Sequence, residues 1–238
     1  MNISTLLSSA LLAAALAAAA LPASAAPRSD ASVAPLRSTG PGSAWLRPSL
    51  RCVGSEAPTV VFDTSGESLG LWTRVSPLLG AQARVCVWNV GAPAAPDSDA
   101  VALHAALQQA GEHPPYLRVV HGLGGPRAAA FAARYPEQVL GLALVDVPVP
   151  LAQGALPDDL LLAVVSSAVP SESARGQLLD VSWQNRQAAL ASLSTQSFHF
   201  VADNQRGLLP ERDPEAVATA IDWLRRQVRL AALASDVQ

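Results

Sequence analysis

Residues 116–136 read YLRVVHGLGGPRAAAFAARYP, and this stretch decides the fold. It starts with a short apolar run, Leu117 to Val120, passes through a glycine-rich turn, His121 to Gly125, and ends in small side chains, Pro126 to Tyr135. The first part predicts a strand and the last part a helix. Glycine tolerates positive φ and close backbone approach, so the strand can turn sharply into the helix. The free helix amides then face whatever binds above the turn.

This turn resembles the nucleophile elbow of the α/β-hydrolase superfamily. The superfamily pattern is G-x-S-x-G, often G-H-S-x-G-G, and this chain reads V-H-G-L-G-G from Val120 to Gly125. Gly122 therefore stands at the nucleophile position. The resemblance covers Cys52 to Arg229 and implies a three-layer α/β-hydrolase-like fold, with a mostly parallel central sheet and helices on both faces.

Further apolar runs and helical patterns alternate along the chain, which predicts a parallel sheet. By resemblance, Trp45 to Val53 is the remnant of the first two strands, which form an antiparallel ribbon in the family. The other predicted strands are Thr59 to Asp63, Arg84 to Asn89, Val139 to Asp146, Leu160 to Val165 and Phe198 to Ala202. The predicted helices are Leu71 to Leu79, Asp99 to Ala110 with Gly111 as a stop, Ser173 to Leu193, and Asp213 to Leu233 with Asp213 as a cap.

The N-terminal residues indicate export. Residues 1–25 form an apolar run that ends in Ala23-Ser24-Ala25, which is typical of a signal peptide with its cleavage site. The alternative is an uncleaved membrane anchor, but the apolar run is short for a span of about 20 residues. Residues 26–44 read as a flexible leader and residues 45–238 as one domain. We therefore expect a periplasmic or extracellular protein that leaves the membrane after cleavage.

Composition excludes several function classes. The net charge is −3 and no basic cluster occurs, which argues against nucleic acid as a partner. All 16 basic residues are arginine, so Schiff-base chemistry and lysine-dependent phosphate loops are excluded. No metal-ligand spacing is present, and we expect no metal and no cofactor. The sequence leaves the oligomeric state open.

The chain has two cysteines, Cys52 and Cys86. A single pair in an exported protein favours a disulfide over a metal site, which needs more ligands. The resemblance supports this pairing, because it places the two residues on neighbouring strands. Two buried thiols are the alternative.

The catalytic residues of the superfamily are only partly recognisable. Gly122 has no side chain with which to attack a substrate. The resemblance assigns an oxyanion hole to the backbone around Ser65 and Gly66 and to Leu123, beside Gly124. A hydroxyl such as that of Ser65 is expected to bind a ligand or cap a turn rather than to act as nucleophile.

The histidine of the superfamily lies seven residues before the proline of the terminal helix, which here gives Gly207. The alternative is a longer loop that makes His199 catalytic. For the acid, Glu172 follows the appropriate strand, and Asp146 is the alternative. His121 is expected to pack beneath the elbow, or else to act alone as a base on water or a carbon acid.

The segment that usually forms a lid is also reduced, to Val147 through Pro157. Without a lid, the site would be an open shelf. These features predict an exported pseudo-hydrolase that has lost its triad, with a small molecule or anion as a possible ligand at the elbow. The alternative is a serine-independent hydrolase or lyase that uses His199 or His121.

Overall fold

The structure is a computed structural model of the chain. It describes residues 48–64, 70–81, 83–92, 94–168, 174–203 and 208–235, with the side chains of residues 174–179 left undescribed. The predicted signal peptide, the predicted leader, Ser65 with Gly66, Glu172 and Gly207 all lie outside these ranges. In the described ranges no helix is both long and apolar enough to cross a membrane.

Seven strands form one sheet. They are β1 (Ser49–Val53), β2 (Glu56–Thr64), β3 (Ala83–Asn89), β4 (Tyr116–His121), β5 (Val139–Val145), β6 (Leu161–Ser167) and β7 (Ser197–Ala202). Their order across the sheet is β1-β3-β2-β4-β5-β6-β7. Only β1 is antiparallel to its neighbour, and all other pairs are parallel.

Helices cover both faces of the sheet, as the apolar runs predict. They are α1 (Pro96–Gln109), α2 (Gly125–Arg134), α3 (Ala174–Ala191), α4 (Leu209–Arg212) and α5 (Pro214–Ser235). One apolar cluster packs Ile221 and Leu224 of α5 against one face. A second cluster packs Leu103 of α1, Phe131 of α2 and Leu190 of α3 against the other face. The predicted three-layer architecture is confirmed.

Two predicted helix ends are also confirmed. Gly111 follows α1 with φ of 68°, and its N–H donates to the carbonyl of Gln108. Glycine adopts this left-handed conformation without a steric penalty, which ends the helix. At the start of α5, the carboxylate of Asp213 accepts a hydrogen bond of 3.1 Å from the N–H of Ala216, as a helix cap does.

One expectation about secondary structure is wrong. Residues 71–79 form turns and a short 3₁₀ helix, Ser76–Leu79, rather than an α-helix. Pro77 explains this, because it has no N–H and disfavours the α conformation at the preceding residue. Of the remnant expected over Trp45 to Val53, the described residues form the single strand β1, which is antiparallel to β3.

Cys52 and Cys86 form the expected disulfide. They lie directly opposite each other in β1 and β3, with an S–S distance of 2.06 Å and Cα atoms 4.0 Å apart. Glu112 places a carboxylate oxygen near both sulfur atoms. Because the sulfur atoms are bonded to each other, this group is not a thiolate metal site.

Candidate functional site

The predicted elbow lies at the carboxyl end of the central strand β4. His121 ends β4 in an extended conformation, residues Gly122–Gly124 form one 3₁₀ turn, and α2 starts at Gly125. Gly122 has φ of 57°, which is the left-handed region. The sharp strand-to-helix turn expected from the sequence is therefore present, and its tip carries no side chain.

The glycines of the elbow differ in what their surroundings permit. A Cβ atom on Gly122 would meet no atom within 4 Å. A Cβ on Gly124 would lie 2.9 Å from Cβ of Val120, and one on Gly125 would lie 2.6 Å from Cγ1 of Val147. Close packing therefore requires glycine at positions 124 and 125. At Gly122 only the left-handed φ favours glycine.

The outer surface of the turn is exposed. Leu123 is 68% exposed, and the connection between β5 and β6 consists of turns without a helix. The first turn of α2 has no acidic residue and no side-chain cap. Its amides therefore keep the partial positive charge of a helix N-terminus.

A buried ion pair lies beside the elbow. The guanidinium of Arg118 on β4 is 2.5 Å from the carboxylate of Asp63 on β2, and both side chains are at most 2% exposed. The guanidinium also lies 4.8 Å from the ring centroid of Phe131 on α2. Nε and Nη1 of Arg118 are buried and have no hydrogen-bond partner among the described residues.

Arg127 connects this pair to the elbow. Its Nε lies 3.7 Å from Asp99 and 4.0 Å from Asp63, and its Nη1 donates a hydrogen bond of 3.5 Å to the carbonyl of Leu123. Burial raises the pKa of Asp99, Arg127 lowers it to a smaller extent, and Asp63 raises it further. Two carboxylates and two guanidiniums thus connect β2, β4, α1 and α2.

His121 packs next to the tip of the elbow. Its Nε2 is buried and has no hydrogen-bond partner among the described residues. Burial lowers the pKa of His121, while the carboxylates of Asp146 and Glu211 each raise it by a smaller amount. The lowered pKa favours the neutral form of the ring, and its Nε2 is shielded from solvent.

Asp146 follows β5, the neighbour of β4, with φ of 46°. Its Oδ1 accepts hydrogen bonds from the N–H and the hydroxyl of Ser167, at 2.8 and 2.9 Å. Its Oδ2 is buried without a partner in the described part of the chain. One carboxylate oxygen therefore joins the ends of β5 and β6.

His199 lies within β7 and not in a loop. It is three strands away from β4, which corresponds to about 14 Å. Its Nε2 is hydrogen-bonded to the hydroxyl of Ser166 on β6 at 2.9 Å. Burial lowers its pKa. The expectation that makes His199 part of a long catalytic loop is therefore wrong, because this residue belongs to the sheet.

The two other histidines of the chain are distant from the elbow. His104 on α1 stacks on Tyr135, just beyond the far end of α2, with ring centroids 4.2 Å apart. His113 is exposed in the connection before β4, at the strand end opposite the elbow. Together with His121 and His199, these two residues account for all four histidines of the chain.

Two features of the site were not predicted from the sequence. Arg118 carried a usable signal, because it is a charge within an otherwise apolar central strand. Ser166 carried none, because serines are common at strand ends. Their partners, Asp63 and His199, are 55 and 33 residues away along the chain, so only the fold reveals these pairs.

The comparison with solved structures identifies the fold. The chain superposes on a thermophilic esterase from Thermogutta terrifontis with a TM-score of 0.60 and 17% identity, covering 75% of this chain and 93% of the esterase. An enol-lactonase from Burkholderia xenovorans LB400 superposes with a TM-score of 0.55 and 13% identity, covering 75% of this chain and 96% of the lactonase. A serine hydrolase involved in carbazole degradation superposes with a TM-score of 0.58 and 14% identity, covering 73% of this chain and 93% of the hydrolase. This chain therefore has the α/β-hydrolase fold.

Sequence comparison adds little about function. No family model matches the chain. The uncharacterized protein C23C11.06c of Schizosaccharomyces pombe is 35% identical over 95 residues, which are 36% of this chain and 18% of that protein. The chain thus spans only a small part of that relative's length.

Proposed function

We propose that this chain is an exported pseudo-hydrolase, an α/β-hydrolase-fold protein that has lost covalent catalysis. The observation that carries the proposal is Gly122, which occupies the tip of the elbow with a left-handed φ and offers no nucleophile. A serine hydrolase needs a hydroxyl there, with a histidine to take its proton.

The placement of the histidines supports the same conclusion. Nε2 of His199 is hydrogen-bonded to Ser166, about 14 Å from β4. His104 on α1 stacks on Tyr135, which follows the end of α2, and His113 lies before the start of β4. His121 directly precedes position 122, but its Nε2 is shielded. None of the four is positioned to activate a hydroxyl at residue 122.

Export is part of this proposal. The predicted signal peptide over residues 1–25 motivates it, and the Cys52–Cys86 disulfide supports it, because disulfides persist in oxidising compartments. A binding role at the elbow completes the proposal. The uncapped N-terminus of α2 and the open surface at Leu123 suit a small molecule or anion.

Ester hydrolysis tests the loss of catalysis. The purified chain and a Gly122→Ser variant are compared on a short-chain nitrophenyl ester, with His113→Ala as a control at an exposed histidine. We expect no saturable turnover by the parent chain and no burst in the serine variant. Saturable turnover by the folded parent would overturn the proposal. A burst in Gly122→Ser would mean that a working histidine and oxyanion hole remain.

The second candidate is a serine-independent hydrolase or lyase that uses His121. It is favoured by the neutral ring and unpartnered Nε2 of His121 beside the open position at Gly122. A neutral imidazole can act as general base on a water or a carbon acid. If this candidate is right, the parent has turnover that resists fluorophosphonate and is lost in His121→Gln. Turnover that survives His121→Gln would reject it.

A further inference from the structure

We propose that two copies of this chain associate through β7 as a two-fold symmetric dimer, in which the two β7 strands pair antiparallel. This inference concerns the edge of the sheet and does not depend on the function proposed for the elbow. It begins from the position of β7, which is the last strand in the sheet order and pairs only with β6 among the described strands.

The sequence of β7 lacks the features that protect edge strands. Natural edges carry charges, proline, bulges or very short strands, because free N–H and C=O groups otherwise recruit another strand. β7 reads SFHFVA over six residues, without a charged residue, proline or glycine, and its register with β6 has no bulge. The opposite edge differs, because β1 has only five residues and exposes Arg51.

The backbone of β7 presents a defined set of groups without a partner among the described residues. The carbonyl of Gln196 accepts a hydrogen bond of 3.0 Å from Leu162 of β6, and that of Ala202 accepts one of 2.7 Å from Ala168, the residue after β6. Backbone groups alternate in direction along a strand, so Ser197, His199 and Val201 direct their N–H and C=O away from β6. An antiparallel pair centred on His199 would use all of these groups, with Val201 opposite Ser197 of the second copy.

Exposed apolar side chains accompany this edge on both faces. Phe198 is 39% exposed and stacks on Trp223 of α5, with ring centroids 5.4 Å apart. Val201 is 47% exposed on the other face, where Val181 of α3, a helix that packs on β6 and β7, is 59% exposed. Together with the strand, these side chains define the β7 edge surface.

A second copy is the occupant that this surface favours. In a two-fold dimer the same strand meets itself, so any charge on it would recur across the interface. The chain has a net charge of −3, but β7 carries none of its acidic or basic residues. Isologous pairing through one patch also closes the assembly, which leaves no free β7 edge for further growth.

Analytical ultracentrifugation of the purified chain, with its disulfide intact, tests the dimer between about 1 and 100 µM, where micromolar dissociation constants are resolved. We expect a reversible monomer–dimer equilibrium. Val201→Lys should raise the dissociation constant about tenfold or more, because a charged side chain at an edge opposes strand pairing. Val53→Lys is the matched control, since Val53 is 43% exposed on the opposite edge strand.

Amide hydrogen exchange of the unmodified chain gives a readout that does not depend on a variant. In a dimer, the N–H groups of Ser197, His199 and Val201 should exchange more slowly at high than at low protein concentration. A parent that stays monomeric over the whole range would overturn the proposal. A dimer that Val53→Lys disrupts and Val201→Lys leaves intact would also overturn it, as would concentration-independent exchange of these three amides.

Discussion

The hydroxyl of Ser166 lies 2.9 Å from Nε2 of His199, on the neighbouring strands β6 and β7. A serine and a histidine at this distance are the beginning of a catalytic pair in many hydrolases. Here Ser166 is fully buried and also lies 3.3 Å from Oε1 of Gln184 on α3. The pair therefore satisfies polar groups between the sheet and α3 and does not face a substrate.

Replacing the serine should cost stability and nothing else. Ser166→Ala removes the hydrogen bond and leaves Nε2 of His199 without it, so we expect a loss of about 1–3 kcal/mol in the free energy of unfolding. Urea denaturation measures this loss. Ser192→Ala is the control, because its hydroxyl is exposed and bonds only within the end of α3. Equal stabilities for the two variants would contradict a structural role for Ser166.

Stability should fall as the pH is lowered through the histidine range. Burial lowers the pKa of both His121 and His199 below the ordinary value of 6.5. The unfolded chain then takes up protons at a higher pH than the folded chain, so the free energy of unfolding decreases as the pH drops below about 7. Denaturation at a series of pH values between about 8 and 5.5 measures the slope. In the double variant His121→Gln/His199→Gln the slope should be shallower, and an unchanged slope would refute this explanation.

The buried ion pair should be sensitive to the loss of one partner. Asp63→Asn leaves the guanidinium of Arg118 buried without a counter-charge at close range, and we expect a loss of about 3–5 kcal/mol. The double variant Asp63→Leu/Arg118→Met should recover most of this loss, because it removes both charges. Asp222→Asn is the control. Its carboxylate pairs with Arg225 but is 44% exposed, so the cost should stay below about 1 kcal/mol.

The elbow should tolerate side chains unevenly. Gly125→Ala would bring a Cβ within 2.6 Å of Val147, and the shift that follows should destabilise the chain by about 1–3 kcal/mol. Gly70→Ala is the matched control, because a Cβ there meets no atom within 4 Å. Thermal unfolding of the two variants gives the comparison. Identical melting temperatures would contradict the close packing of α2 against Val147.

Much of the fold could be predicted from local patterns. The apolar runs that form β2 to β6 are buried on both faces, which gives a clear signal in the sequence. Glycines at the elbow and Asp213 at the start of α5 mark their positions through backbone conformation and capping. The segment from Leu71 to Leu79 was assigned wrongly because its apolar spacing suits a helix while Pro77 prevents one.

The candidate site was harder to predict, because its contacts join residues far apart in the chain. Position 122 could be assigned from the motif around it. The partners of Arg118 and His199 depend on which strands become neighbours and on which face each side chain lies. The local sequence around Arg118 and His199 encodes neither the neighbouring strand nor the contact that the side chain makes there.

The most direct test of the central claim is the intact mass of the purified chain after treatment with a fluorophosphonate, beside an active serine esterase as the positive control. The account predicts an unchanged mass, because Gly122 has no hydroxyl and Ser166 is buried and hydrogen-bonded. A mass increase of one adduct, mapped by peptide analysis to a single serine, would reveal an activated nucleophile and contradict the loss of covalent catalysis.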